Sequence, residues 1–217
     1  MNNRFTIENA IEKSSAEDVK KELTGKSIVL ASSSPRRKKV LELLGLEFSI
    51  HSPEIEEIMQ TGMLPANFAE DMAVKKVSTV LNKFKQSVII GADTVVVIGS
   101  RILGKPKDAS DAIRMLRFLR GKEHRVISAI AACTNGTHKI IYSHEVTSVV
   151  FKNFSDRDIY DYIDSGEPLD KAGSYGIQGM GSILVDRING QLDNVIGFPL
   201  DCLARLIVEK GQVGNGI

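Results

Sequence analysis

Asp93 stands where a carboxylate is costly. It interrupts the apolar run SVIIGADTVVVIG (87–99), and a buried carboxylate costs several kcal/mol unless a cation or a metal ion compensates it. Gly91 and Ala92 before it leave room for a ligand to approach the backbone. Such an acid can serve as a general base or a metal ligand; an Asp that caps a turn or pairs with a core lysine has the same signature. Glu54, Glu56 and Glu57 lie on one short acidic stretch. They could supply a second carboxylate to a hard ion such as Mg²⁺, which keeps several waters and needs only one or two. Acidic loops of this kind also occur as plain solvated surface.

The second chemical signal is cationic. SSSPRRKK (32–39) sets Ser34 and Pro35 as a helix start with Arg36 and Arg37 directly behind. Free N–H groups and the helix dipole favour an anion there, and basic residues in the first turn oppose the dipole until one arrives. Arginine adds planar donors matched to phosphate oxygens. A charged surface helix is the competing reading. Lys76 in AVKKV and Lys105 in LGKP are weaker signals because lysines are abundant and mostly exposed, although Lys105 rests on the stiffened backbone between Gly104 and Pro106. GSYGIQGMG (173–181) carries four glycines, which point to close backbone approach or positive φ angles. Its Gln178 offers an amide that can read a base edge; a turn-rich loop explains the glycines equally well.

These residues need a scaffold. SIVLAS (27–32) reads as a short buried strand running into a helix that ends at Gly45, and LEFSI (46–50) as a second strand. A helix is expected over 65–84, a hairpin partner for the Asp93 strand at 102–106, and a third helix over 108–121, capped by Asp108. Two strands follow, 124–133 and 139–151, joined by a turn at 134–137. A short helix capped by Ser155, the glycine-rich loop, a strand at 183–188 and a last helix from Pro199 complete the chain. Strands and helices alternate without strict βα repetition, which predicts an α/β fold with a mixed sheet. Residues 1–26 read as a polar N-terminal extension with a loose helix using Ile7, Ala10 and Ile11.

Composition excludes several classes. With 28 Lys and Arg against 27 Asp and Glu, no global basic field marks a nucleic-acid binder. Cys133 and Cys202 form no CxxC pair, so neither a disulfide framework nor a cysteine zinc site is expected. The N-terminal stretch has no apolar segment of signal-peptide type and no run approaches membrane-spanning length, so a cytoplasmic protein with no membrane partner is expected. GKS at 25–27 lacks the glycine of a P-loop and precedes its strand.

Together, LASSSPRRKKVLELLGLEF, GADTVVV with LGKP, LRGKEHRV, and GEPLDKAGSYGIQGMG with NVIGFPL resemble the Maf family of nucleoside triphosphate pyrophosphatases over about residues 27–208. The resemblance implies a mixed twisted sheet flanked by helices, with two lobes around a cleft as in the inosine triphosphate pyrophosphatases. Residues 27–217 would form a single catalytic domain, working as a homodimer. It implies hydrolysis of a nucleoside triphosphate to monophosphate and pyrophosphate with Mg²⁺ or Mn²⁺. Asp93 then falls on the proton acceptor, with Glu57, Lys76 (Lys75 being the neighbouring alternative) and Lys105 as further catalytic residues. Glu57 and Asp93 would hold the metal. Ser32, Ser34, Arg36, Arg37, Thr94, Lys171 and Gln178 would bind substrate, and Arg36, Thr94 and Gln178 match the members that prefer dTTP and UTP. Val77 and Phe198 depart from the family's usual Ala and Leu. The same family is linked with septum formation, which leaves a cell-division regulator that binds nucleic acid or protein as one alternative, and house-cleaning of modified nucleotides as another.

Overall fold

A computed structural model describes residues 5–56, 58, 62–134 and 139–211, the last three by backbone only. The apolar run around Asp93 folds as one unbroken strand, β3 (Val88–Ile98). Before it come α1 (Ile7–Ile11), α2 (Ser14–Leu23), β1 (Ile28–Leu30), α3 (Pro35–Leu43), β2 (Ser49–Ile50) and α4 (Pro65–Leu81). After it come β4 (Arg101–Leu103), α5 (Ala109–Leu119), β5 (Glu123–Cys133), β6 (Ile140–Phe151), α6 (Asp156–Asp164), β7 (Val185–Asn189), α7 (Leu192–Ile196) and α8 (Leu200–Gly211). The expected α/β class with a mixed sheet holds. Seven strands run in the order β2-β1-β3-β5-β6-β7, with β4 beside β3. β1 is parallel to β2 and β3, and the other pairings are antiparallel. No helix among the described residues is long and apolar enough to cross a membrane.

Alternation along β3 divides the core. Ile89, Val95 and Val97 face α4, where Phe68, Met72, Val77 and Val80 are buried against them. Ile90, Ala92 and Val96 face the opposite layer, built from α3, α5, α6, α7 and α8. Each large side chain so buried contributes about 1.5–3 kcal/mol.

Three expectations change. The strand at 46–50 shrinks to Ser49–Ile50. Leu46 instead closes α3: with Gly45 at φ +71°, the Leu46 N–H bonds Leu41 O and the Gly45 N–H bonds Glu42 O, a Schellman ending. Residues 192–196, between the expected strand at 183–188 and the last helix, form a helix of their own, α7. The N-terminal extension is no loose appendage. Val19 and Leu23 are fully buried in the same core, α2 lies on α8, and α1 lies on both α3 and α7. The β5–β6 turn at 135–138 lies outside the described residues.

His124, on β5, is buried edge-on against Phe151 and Tyr175, its Nε2 2.8 Å from the Tyr175 hydroxyl. Burial lowers its pKa from 6.5 to about 4. The folded protein therefore keeps His124 neutral at pH values where the unfolded chain has already bound a proton. Stability contributed by the neutral ring is full above about pH 6.5 and is lost as pH falls toward 4, by about 3 kcal/mol in all. Denaturant melts at pH 7.5, 5.5 and 4.5 check this: His124→Gln should be less stable at pH 7.5 but lose less on acidification. An equal acid slope in both proteins would contradict it.

Candidate active site

The site grows from a gap in the sheet. β1 pairs with β3 only as far as Ile90, and β4 joins only from Val96. Between them one edge of β3 has no strand beside it. The Ala92 carbonyl on that edge accepts from Arg37 Nη1 at 2.8 Å and from Lys76 Nζ at 3.4 Å. Two cations thus replace the missing strand, which answers the general demand that buried carbonyls find a donor.

Gly91 makes one of these contacts possible. A Cβ there would stand 2.9 Å from both Ala73 O and Val77 Cγ2, so only glycine lets α4 approach this closely. Lys76 consequently sits over the strand with its Nζ 2.6 Å from Asp93 Oδ1. Asp93 is 7% exposed. Lys75 turns outward to Asp71, at 2.8 Å, so geometry selects Lys76 as the helix lysine at the site. Asp93, Lys76, Thr94 and the α3 start all line one cavity of about 670 Å³, with Arg36 and Lys105 on its wall.

The arginines have separate tasks. Arg37 is buried and fully engaged: beyond Ala92 O, it donates to Gly197 O at 2.9 Å, Ser32 Oγ at 3.1 Å and Thr94 Oγ1 at 3.1 Å. Arg36 is half-buried and gives one N–H to Ile196 O at 3.3 Å. Arg36 also lines the cavity, and burial pulls its pKa down against the opposing pull of Asp170, Tyr162 and Glu167. Ser34 occupies the N-cap position of α3 without making a cap hydrogen bond. Instead, Ser32 Oγ accepts the Ser34 N–H at 3.2 Å. The first turn of α3 is left without a side-chain cap on the cavity side, the arrangement that favours an anion.

Behind Thr94 lies a polar network that the sequence does not disclose. Ser128 Oγ donates to Asn194 O at 2.7 Å. Its single proton being spent, the 2.9 Å contact between Thr94 and Ser128 hydroxyls has Thr94 as donor. Asn194 in turn accepts the Ser128 N–H and donates to Val126 O and Thr147 Oγ1. Ser128, Thr147 and Asn194 are completely buried. Gly197 (φ +101°) closes the corner, where a Cβ would come within 2.8 Å of Thr94 Oγ1.

The glycine-rich loop is held by Tyr162 and Glu167. Tyr162 donates to Glu167 Oε1 at 3.0 Å and accepts from Gly176 N at 2.9 Å, while Glu167 Oε2 accepts from Met180 N at 3.0 Å. Burial pushes the Tyr162 phenol up, which keeps it a proton donor. Gly179 takes φ +62°, and a Cβ would stand 2.6 Å from Glu167. Lys171 lines the cavity but spends its ammonium on Glu167 O and Asp170, each at 2.6 Å. Gln178 is half-buried and does not line the cavity, although its neighbour Ile177 does. Glu57 lies outside the described residues. Glu54 and Glu56 from the same acidic stretch do line the cavity. With Asp93 they present hard oxygen donors, the chemistry that Mg²⁺ and Mn²⁺ take. Among the described residues no three Asp, Glu, His or Cys side chains converge as a metal cluster. An acid paired with a lysine, beside free cationic donors and an uncapped helix start, can bind a polyanion and activate water against it.

Comparison with known proteins agrees with this chemistry. The sequence model of the family described as Maf-like protein matches residues 27–210. The dTTP/UTP pyrophosphatase of Alkaliphilus oremlandii (strain OhILAs) is 46% identical over 176 residues, covering 81% of this chain and 91% of that protein. The dTTP/UTP pyrophosphatase of Aquifex aeolicus (strain VF5) is 41% identical over 182 residues, 84% of this chain and 94% of its own. That of Bacillus cytotoxicus is 43% identical over 191 residues, 88% and 97% respectively.

Proposed function

The chain belongs to the Maf-like family, and from that premise we propose that it hydrolyses dTTP and UTP to the monophosphate and pyrophosphate in the cavity beside β3. The observation that carries the reading is the buried Asp93 carboxylate sharing one cavity with Arg36, Lys105 and the uncapped start of α3. On this reading the triphosphate lies along the α3 start, neutralised by Arg36 and Lys105. Arg37 acts behind it, fixing the wall on which Arg36 and Thr94 stand. Lys76 engages Asp93 through Oδ1, leaving Oδ2 to orient a water and take its proton as the water attacks the α-phosphorus. Asp93, with Glu57 from the acidic stretch, would hold a divalent cation, which when bound neutralises charge on the phosphate oxygens. In the same reading the cavity is the cleft between two lobes of an inosine triphosphate pyrophosphatase-like architecture. Residues 27–217 are then one catalytic domain, and the chain works as a cytoplasmic homodimer.

Thr94, on the cavity wall, reads the base, with Gln178 as a second reader from beside the lining residue Ile177. Because the Thr94 proton is committed to Ser128 and one lone pair to Arg37, Thr94 has only acceptor capacity left. An incoming N–H suits it, as at N3 of thymine and uracil; cytosine presents an acceptor at N3 instead. A nucleotide panel with Mg²⁺ and with Mn²⁺, scoring pyrophosphate release, tests this. The expected result is a kcat/KM for dTTP and UTP about tenfold or more above CTP, GTP and ITP. A preference for ITP, GTP or a modified nucleotide would overturn the assignment of substrate.

A further inference from the structure

The substrate corner is held from outside the part of the chain that matches the family. Arg36 and Arg37 each give their Nε–H to a backbone carbonyl of one turn, Ile196 O and Gly197 O respectively. That turn joins α7 to α8 and is organised by Asp193. The Asp193 carbonyl accepts the N–H groups of Gly197 (3.0 Å) and Phe198 (2.9 Å), and its Oδ2 accepts the N–H of Leu200 at 2.7 Å. Asp193 is 1% exposed and its Oδ1 has no hydrogen-bond partner among the described residues. A carboxylate so placed needs a cation. Among the described residues, the cation in ion-pair contact with it is Lys13, with Nζ 2.8 Å from Asp193 Oδ2 and 3.2 Å from Asp201 Oδ1. Lys13 stands at the N-cap position of α2, fourteen positions before the family match begins at residue 27. The helix before it, α1, lies against both α3 and α7, the elements that carry the two arginines and their acceptors.

We infer that the N-terminal segment braces the triphosphate site, with Lys13 as a positioning residue that acts through Asp193 and the Ile196–Gly197 carbonyls on Arg36 and Arg37. The inference rests on the proposed triphosphate chemistry and adds a residue that the family pattern does not contain. A brace of this kind acts on substrate binding, because Arg36 holds phosphate, Arg37 fixes the wall behind it, and neither takes part in the proton transfer at Asp93. A lysine needed only for folding would lower the fraction of active protein and hence kcat, leaving KM where it was.

The test uses the full chain as wild type, Lys13→Gln, Lys13→Arg and Lys13→Gln/Asp193→Asn, assayed well below the melting temperature of each. dTTP hydrolysis gives KM and kcat, and calorimetry with inorganic tripolyphosphate gives Kd without reliance on turnover. Lys13→Gln should raise both KM and Kd about 2- to 30-fold, with kcat within about twofold. Lys13→Arg should restore them. The double variant should do the same, because the amide that Asp193→Asn introduces keeps an acceptor for the Leu200 N–H and leaves no unpaired charge at the buried position 193, while Asp201 is partly exposed and has Arg205 nearby. Unchanged KM and Kd in a folded Lys13→Gln protein overturn the brace, whatever happens to its kcat or melting temperature. If Lys13→Gln does not fold, the double variant decides: wild-type KM and Kd support the brace, and raised values or failure to fold overturn it. A wild-type protein that binds tripolyphosphate but does not hydrolyse dTTP defeats the functional reading while Kd still tests the brace. A wild-type protein that binds no tripolyphosphate overturns the brace outright.

Discussion

Asp93→Asn should reduce kcat with dTTP by about 10²–10⁴-fold, the range over which a positioned general base contributes. Asparagine fills the same space and can still accept from Lys76, whose Nζ stands 2.6 Å from Asp93 Oδ1, but it cannot take a proton from water. Circular dichroism and melting curves should therefore show a folded protein. In ¹⁸O-labelled water the wild-type enzyme should place the label in dTMP and not in pyrophosphate, because the attack is at the α-phosphorus. A variant that retained wild-type kcat would remove Asp93 from the chemistry.

Arg37→Met should be the most damaging change in the cavity wall. It deletes the donor to Ala92 O, Gly197 O, Ser32 Oγ and Thr94 Oγ1 at once. Ala92 O keeps Lys76 and Ser32 Oγ keeps the Ser34 N–H, so the loss falls on Gly197 O and Thr94 Oγ1 and costs about 1–3 kcal/mol. Since the same bonds fix the wall that carries Arg36 and Thr94, kcat/KM for dTTP should fall about 10²-fold, the cost of displacing a positioned group by about 1 Å. Arg37→Lys should rescue little, because one ammonium on a flexible stem cannot span four acceptors in the plane of a guanidinium. Denaturant unfolding and steady-state kinetics on both variants check this. A folded Arg37→Met protein with wild-type stability and activity would show that the network is incidental.

The centre of the site was legible in the sequence because its signals are local. An acid inside an apolar strand and two arginines behind Ser-Pro are incongruous where they stand, and the fold brings them to one cavity. What could not be read is what depends on pairing over distance. Arg36 and Arg37 look equivalent in sequence, yet a helix turns about 100° per residue. One guanidinium therefore faces the cavity and the other the protein. Ser128, Thr147 and Asn194 are small neutral residues in ordinary surroundings, and only the β5–β6 register and the placement of α7 bury them together. NVIGFPL held a signal, an amide before an apolar run ending in glycine, but nothing local says what that amide must satisfy. Of the N-terminal helices, α1 is the one expected from Ile7, Ala10 and Ile11, whereas α2 and the packing of both are hidden in the sequence because charge dilutes the apolar stripe of α2. Ala16, Val19 and Leu23 recur at helical spacing and all are buried, whereas the polar average describes only the outward face. Ser34 is a suitable cap by type, but Ser32 two residues earlier takes the N–H of Ser34 instead.

The most direct test is a crystal structure of the Asp93→Asn protein with dTTP and Mg²⁺. The account expects the triphosphate along the start of α3 against Arg36 and Lys105, with its α-phosphorus the nearest to residue 93. Nucleotide bound away from the open edge of β3, or a triphosphate whose α-phosphorus is turned away from residue 93, would contradict it.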